Sequence, residues 1–144
     1  MSTEFNGKKL LVIGGTSGMG LQTARMVLEQ GGSVVIVGHR EDKAEEARKA
    51  LSSLGTVTAL TADLSRAEDV KRLLHTIDEH HKDINLLVNA AGVFFPKAFL
   101  EHTESDYEQY LTLNKAFFFI TQKVVANLVA SERPGAIVNI GSMW

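Results

Sequence analysis

One stretch near the N-terminus limits the possible folds more than any other feature of the chain. An unbroken apolar run at residues 10–13 leads into a glycine-rich turn at residues 14–20, with the sequence GGTSGMG, and a helical pattern over residues 19–30 follows. The N-terminus of such a helix attracts phosphate through its unpaired N–H groups and its dipole. Glycine turns are common, so the turn alone is equally consistent with an ordinary connection. The residues predicted to hold a pyrophosphate are Gly14, Thr16, Ser17, Gly18, Met19 and Gly20.

Strand and helix patterns alternate along the rest of the chain. Apolar or β-branched runs predict strands at residues 33–37, 56–60, 84–88 and 136–140. Helical spacing predicts helices over residues 41–54, 63–79 and 103–130. Together these patterns predict one α/β domain over residues 1–144, a Rossmann-type doubly wound parallel sheet in the strand order 3-2-1-4-5. The ligand crevice of such a sheet lies beyond the carboxyl ends of strands 1 and 4.

Composition narrows the possible partners. The formal net charge is -2 without a strongly basic stretch, which gives no indication of nucleic acid or an anionic membrane as partner. The absence of cysteine excludes disulfides and thiolate metal sites, and the N-terminus lacks the apolar segment of a secretory signal. We therefore expect a cytoplasmic protein. His80, His81 and His102 have no suitably spaced metal-ligand partners, so no metal site is predicted, and helix-end histidines are the preferred interpretation.

The residues after the second predicted strand bear on the choice of nucleotide. NAD sites usually have an acid at the tip of this strand, which binds the ribose hydroxyls. Gly38 occupies this place, whereas Arg40 could pair with a 2′-phosphate, with His39 beside it. The pattern favours NADP over NAD; the alternative is an exposed basic pair in a loop.

The ends of the third and fourth predicted strands carry further candidates. Asp63 and Leu64 follow the third strand, where Asp63 is expected to cap the next helix. Small residues after the fourth strand would let the backbone approach the middle of a cofactor, or would form a simple turn. These residues are Asn89, Ala90, Ala91 and Gly92. Asn89 is expected to bond to a neighbouring loop.

Two further candidates are polar residues, one inside a predicted helix and one after a predicted strand. Asn114 lies inside the long predicted helix, where asparagine is unfavourable, and is either a surface residue or a functional one. Ser142 follows the fifth predicted strand, where a serine could hydrogen-bond to a substrate oxygen or belong to an ordinary loop.

Taken in order, these motifs resemble those of the short-chain dehydrogenase/reductase family. The glycine-rich turn is similar to T-G-x-x-x-G-x-G, with Ile13 in place of the usual threonine, and residues 89–92 are similar to N-N/A-A-G. The resemblance implies that Asp63 lies along the adenine amino group of the cofactor. It also implies that Asn114 holds a relay water through its backbone carbonyl and that Ser142 is the catalytic serine.

The resemblance further implies hydride transfer between a nicotinamide cofactor, NADP here, and a small carbonyl or alcohol substrate. The proton donor of the family is a tyrosine in Y-x-x-x-K beyond the serine, and neither Tyr107 nor Tyr110 has a lysine at that spacing. The chain therefore resembles the N-terminal, cofactor-binding part of such an enzyme, ending before the remaining C-terminal strands, and we expect it to be inactive alone. The alternative is a non-catalytic dinucleotide-binding or interaction module.

The long predicted helix, residues 103–130, is expected to begin with a capping box formed by Thr103 and Asp106. It is apolar nearly all round over residues 116–129, which predicts burial on every side, with one face against the sheet and another against a partner subunit. In a truncated chain the second face is expected to be exposed. Family members often form dimers or tetramers through this helix, so the resemblance implies a homo-oligomer.

Overall fold

The computed structural model describes residues 3–142, in which strands and helices alternate. The elements are β1 (Lys9–Ile13), α1 (Gly18–Glu29), β2 (Ser33–Gly38), α2 (Glu41–Leu51), β3 (Val57–Thr61), α3 (Ala67–His80), β4 (Leu86–Asn89), a 3-10 helix (Phe99–Glu101), α4 (Glu104–Ala130) and β5 (Ala136–Asn139). All strand pairs are parallel, in the order β3-β2-β1-β4-β5. This order confirms the predicted Rossmann-type α/β fold.

Two apolar layers enclose the centre of the sheet. Leu11 and Val35 belong to a cluster with side chains of α3 and α4, whereas Leu10 and Val34 belong to a cluster with side chains of α1 and α2. Successive residues of a strand point to opposite faces, so a strand covered on both faces must be apolar throughout. This requirement explains the unbroken apolar runs of β1 and β2.

The start of α3 differs from the prediction. The helix begins at Ala67, not at Asp63, and its N-cap position is Arg66. The Asp63 carboxylate instead accepts hydrogen bonds from the backbone N–H of Ser65 at 3.0 Å and from its hydroxyl at 2.6 Å. Aspartate readily forms such a local turn, which competes with helix initiation. Residues 63–66 therefore extend the connection between β3 and α3.

The long helix α4 begins as predicted. The Asp106 backbone N–H donates to the Thr103 hydroxyl at 3.2 Å, and the Asp106 carboxylate accepts from the Thr103 backbone N–H at 2.8 Å. These two bonds confirm the capping box. The carboxylate also accepts a hydrogen bond from the Lys97 ammonium at 2.7 Å. The start of α4 is thereby tied to the loop that follows β4.

In the single chain α4 is buried on one side only, and the burial of its other face against a partner subunit stays a prediction. Only one stripe of apolar side chains is buried, which consists of Ala116, Ile120, Val124 and Leu128. Phe118 and Val129 are 63% and 72% exposed. The sheet and α3 cover one side of α4, and the remaining apolar residues lie at the surface of the described part of the chain. Within residues 3–142, no helix is both long and apolar enough to cross a membrane.

Candidate functional site

A cavity of about 430 Å³ opens at the carboxyl edge of the sheet, beyond β1 and β4. Most residues predicted to bind a cofactor line it. These are Gly14, Thr16, Ser17, Gly18, Met19, Gly20, His39, Asp63, Leu64, Ala90, Ala91 and Gly92. Five further residues line the cavity although no sequence motif pointed to them: Ala62, Ser65, Val93, Gln109 and Leu113. The helical spacing of Gln109 and Leu113 could have placed both on one face of α4.

The glycine-rich turn lines the cavity, and the backbone is tightly packed around two of its glycines. Gly14 has φ +85°, and a Cβ at this position would lie 2.5 Å from the backbone nitrogen of Ala91. A Cβ at Gly20 would collide with the carbonyl oxygen of Gly14. Glycine at these two positions lets β1, β4 and the first turn of α1 meet at one point.

The N-terminus of α1 lies against this cavity without a side-chain cap. Its N-cap residue, Ser17, makes no capping hydrogen bond through its hydroxyl. The next three residues, Gly18, Met19 and Gly20, all line the cavity. The first N–H groups of a helix have no acceptor within the helix, and together with the dipole they form a site for an anionic group. The turn therefore fits a pyrophosphate.

The end of β2 has no room for a side chain at the position usually held by an acid. A Cβ at Gly38 would lie 2.5 Å from Cγ2 of Thr16. His39 lines the cavity, whereas Arg40 lies outside the lining residues. Nη2 of Arg40 donates to Oδ2 of Asp42 at 2.9 Å, in an exposed ion pair. Such pairs contribute little stability, so Arg40 is not held firmly there. Its contact with a 2′-phosphate stays a prediction.

Asp63 lines the cavity, and hydrogen bonds from Ser65 favour its ionised form and hold one of its carboxylate oxygens. The hydroxyl and backbone N–H of Ser65 hold the pKa of the Asp63 carboxyl below its usual value. The backbone N–H of Asp63 itself donates to the carboxylate of Asp69 at 2.9 Å. Because Ser65 donates both of its bonds to Oδ1, the second oxygen of Asp63 remains to accept a hydrogen bond from a ligand.

Asn89 does not line the cavity; its side chain bonds to residues of the neighbouring elements. It is 1% exposed, and its Nδ2 donates to Oδ1 of Asn139 at 2.8 Å and to the hydroxyl of Thr121 at 3.2 Å. Its partners therefore lie on β5 and α4, which corrects the expectation that it bonds to a neighbouring loop. The interaction ties β4 to both elements just before Ala90 and Ala91, and so supports the cavity wall.

The two predicted catalytic residues do not line the cavity. Asn114 is exposed on α4, and Ser142 is exposed beyond the end of β5. Their catalytic roles remain predictions.

Of the histidines considered as metal ligands, His80 lies in the last turn of α3, and burial lowers the pKa of the following His81. Residues 3–142 contain no cluster of three His, Cys, Asp or Glu side chains that could hold a metal ion.

The parallel sheet, its helix order and the cavity at its carboxyl edge define a Rossmann-type α/β protein. More narrowly, the chain belongs to the short chain dehydrogenase family, whose sequence model matches residues 8–144. Both the turn at residues 14–20 and the segment at residues 89–92 lie within this match.

Similarity to individual proteins extends over nearly the whole chain. It is 30% identical over 142 residues to the uncharacterized oxidoreductase YvrD of Bacillus subtilis (strain 168), covering 99% of this chain and 54% of YvrD. It is 30% identical over 144 residues to the 3-oxoacyl-acyl-carrier-protein reductase FabG of Chlamydia pneumoniae, covering 99% of this chain and 58% of FabG. The chain thus spans about half the length of the curated relatives it matches.

Solved structures with bound nucleotide share the fold. The Pseudomonas aeruginosa RhlG/NADP complex has a TM-score of 0.87 and 31% identity, covering 99% of this chain and 58% of RhlG. An NAD+-bound xylitol dehydrogenase has a TM-score of 0.83 and 26% identity, covering 97% of this chain and 55% of that one. Both nucleotides therefore occur among the structural relatives.

Proposed function

We propose that this chain is the cofactor-binding part of an NADP-dependent oxidoreductase that acts on a small carbonyl or alcohol substrate. The observation that carries the proposal is the cavity at the sheet edge, lined by the glycine-rich turn and the uncapped N-terminus of α1. Membership of the short chain dehydrogenase family supports the reaction class. The location of the protein is proposed to be cytoplasmic.

The preference for NADP is supported by the end of β2. Gly38 stands where an acid would bind the ribose hydroxyls, and a Cβ there would lie 2.5 Å from Cγ2 of Thr16 unless that side chain shifted. The complex of RhlG with NADP, at 31% identity, is consistent with this preference. NAD remains the second candidate, as in the xylitol dehydrogenase.

Each part of the cavity then has a role in binding. The N–H groups at the start of α1 hold the pyrophosphate, and the Asp63 carboxylate accepts a hydrogen bond from the adenine amino group. The small residues at 90–92 allow the backbone to approach the middle of the cofactor. The nicotinamide ring, when bound, supplies or accepts the hydride. Ser142 orients the substrate oxygen, and the backbone carbonyl of Asn114 holds a water for proton transfer.

Proton transfer to the substrate needs a group that these residues do not supply. The 144 residues contain no Tyr-x-x-x-Lys sequence, which is the proton donor pair that the family resemblance implies. We therefore expect this chain alone to bind nucleotide without reducing a carbonyl substrate.

The test is a titration of the chain with NADPH and with NADH, followed by nicotinamide fluorescence. The informative variant is Gly92→Val, since Gly92 lines the cavity and a Cβ there meets no atom within 4 Å. The added side chain should enter the cavity without disturbing the fold and weaken binding of both nucleotides by roughly tenfold or more, as expected for the loss of a few favourable contacts.

The matched control is Gly141→Val. Gly141 also has open space at its Cβ position but does not line the cavity, so binding should remain unchanged. Equal nucleotide affinity of the chain and of Gly92→Val would contradict the proposed site.

A further inference from the structure

A second cavity, of about 420 Å³, opens at the amino edge of the sheet, opposite the cavity described above. The amino ends of β1, β2 and β3 line it, together with the connections that precede β4 and β5. Its charged lining residues are Lys8, Lys9, Asp83 and Arg133, and we call it the amino-edge cavity. Ligands of open α/β sheets usually bind at the carboxyl edge, so the proposed nucleotide site makes no use of this cavity.

The net charge of the amino-edge cavity is positive. Nζ of Lys9 lies 2.9 Å from Oδ1 of Asp83, so these two opposite charges largely offset one another. Asp83 is the only acid among the described residues that line the cavity. The charges of Lys8 and Arg133 therefore have no lining carboxylate to offset them.

Three hydrogen bonds hold the guanidinium of Arg133 at the cavity wall. Nη1 donates to the backbone carbonyl of Asp83 at 3.0 Å, and Nη2 donates to that of Lys82. Nε donates to the hydroxyl of Ser131 at 2.8 Å. All three acceptors are neutral, so they orient the guanidinium without cancelling its charge. A guanidinium has five N–H donors, so one N–H on each terminal nitrogen remains for a ligand.

The two lysines are less exposed than lysine usually is. Both residues are half-buried, and the side chain of Lys9 is 18% exposed. Within residues 3–142, the ammonium of Lys8 has no hydrogen-bond or ion-pair partner. Because partly buried charges are screened less by water, an anion in this cavity would be attracted more strongly than at an open surface.

We propose that the amino-edge cavity binds a small phosphate dianion. Two positive charges without an acidic partner match a dianion, and ammonium and guanidinium N–H groups donate well to phosphate oxygens. The hydroxyls of Ser33 and Thr56 also line the cavity and can donate further hydrogen bonds. The cavity has room for inorganic phosphate or for the phosphate group of a small monoester. This inference does not depend on the proposed function, which concerns the other edge of the sheet.

The experiment is a nuclear magnetic resonance titration of the isotope-labelled chain with inorganic phosphate at about pH 7.5, above its second ionisation. Ionic strength is held constant with sodium chloride because salt screens the attraction. The amide signals of Gly31, Gly32 and Gly55 report on the amino-edge cavity and should shift to saturation with one dissociation constant. Those of Gly18 and Gly20 report separately on the start of α1, which also attracts phosphate.

Lys8→Gln is the informative variant, since the Lys8 ammonium has no partner within residues 3–142 whose loss would disturb the fold. It should raise the dissociation constant at the amino-edge cavity by roughly tenfold, the size expected for a charged hydrogen bond. The constant measured at the start of α1 should not change. Lys8→Arg keeps the charge and should retain binding. Lys71→Gln is the matched control, because it removes an exposed charge from α3 outside both cavities.

A parallel titration with glycerol phosphate distinguishes the two sources of the dianion. Tighter binding of this ester assigns the cavity to a phosphorylated small molecule, and tighter binding of inorganic phosphate assigns it to the free ion. The proposed site is overturned if the signals of Gly31, Gly32 and Gly55 show no saturable shift with either probe. It is also overturned if Lys8→Gln binds as well as the unmodified chain, or if Lys71→Gln weakens binding equally. None of these results bears on nucleotide binding at the carboxyl edge.

Discussion

At the scale of single residues, Ser65 orients the carboxylate of Asp63 in the cavity. Its hydroxyl and N–H both donate to Oδ1, which orients the carboxylate and leaves Oδ2 for the adenine amino group that we propose it binds. Ser65→Ala removes the 2.6 Å hydrogen bond. We expect NADPH affinity to fall by roughly three- to tenfold, the cost of one hydrogen bond, while the affinity for deamino-NADPH, which lacks this amino group, stays nearly constant. Fluorescence titration with both nucleotides gives the ratio of the two affinities.

Ser65→Thr is the matched control, since it keeps the hydroxyl and should preserve the affinity ratio. If Ser65→Ala weakened NADPH and deamino-NADPH equally, Ser65 would support only the turn and would have no part in recognising adenine.

Single residues also show which features of the site the sequence did not predict. The residue types after β1, β2, β3 and β4 predicted which segments line the cavity, because the carboxyl ends of parallel strands meet at one edge, whereas Ser142 after β5 does not line it. The directions of individual side chains were not predictable. Arg40 pairs with Asp42 two residues away, and Asn89 bonds to Asn139 fifty residues away. The second pair forms only once β4 and β5 are assembled side by side, whereas the first is an exposed local ion pair.

At the scale of elements, the carboxylate of Asp106 holds the start of α4 and the preceding loop together. Its hydrogen bonds with Lys97 and Thr103 lower its pKa to about 2 from an ordinary value of 3.8. A carboxyl whose pKa is lower in the folded state stabilises the fold above its unfolded pKa and loses this effect as the pH falls through the folded pKa. The stabilisation should therefore be complete at neutral pH and disappear between about pH 4 and about pH 2.

Asp106→Asn tests this assignment. The variant should have a lower free energy of unfolding than the unmodified chain at pH 7, and this difference should shrink as the pH falls toward 2, measured by urea unfolding at each pH. Glu104→Gln is the control, because it removes one acid from the same helical turn without a comparable partner. A difference that stays constant with pH in Asp106→Asn would show that the carboxylate's charge is not what stabilises α4.

The strands and helix ends that were predicted correctly are those with a strong local sequence pattern. The continuous apolar pattern of β1 and β2 has one physical explanation, burial on both faces, and these strands were found within a residue of their ends. The capping box at Thr103 is equally local. The start of α3 was missed because Asp63 can either cap a helix or close a turn upon Ser65, and the sequence does not decide between these two hydrogen-bonding patterns.

At the scale of the whole molecule, the outer face of α4 is the largest feature that the proposed site leaves unexplained. Tyr107, Leu111, Phe118, Val125 and Val129 recur at intervals of four and seven residues, which places them along one side of the helix, and all five are exposed. Because a continuous apolar stripe of this kind usually marks an interface, we propose that two copies of the chain associate through α4.

Phe118→Glu should disrupt this association, since an unpaired carboxylate would be buried at the centre of the stripe. We expect the dimer dissociation constant, measured by sedimentation equilibrium, to rise by at least roughly tenfold, as for other central interface residues. Lys71→Glu is the control, because Lys71 is an exposed charge on a different helix, α3. A chain that stays monomeric at all accessible concentrations, or a dimer that Phe118→Glu leaves intact, would show that the exposed stripe does not join two copies. Either result would mean that something other than a second copy covers this face of the helix, since residues 3–142 leave it exposed.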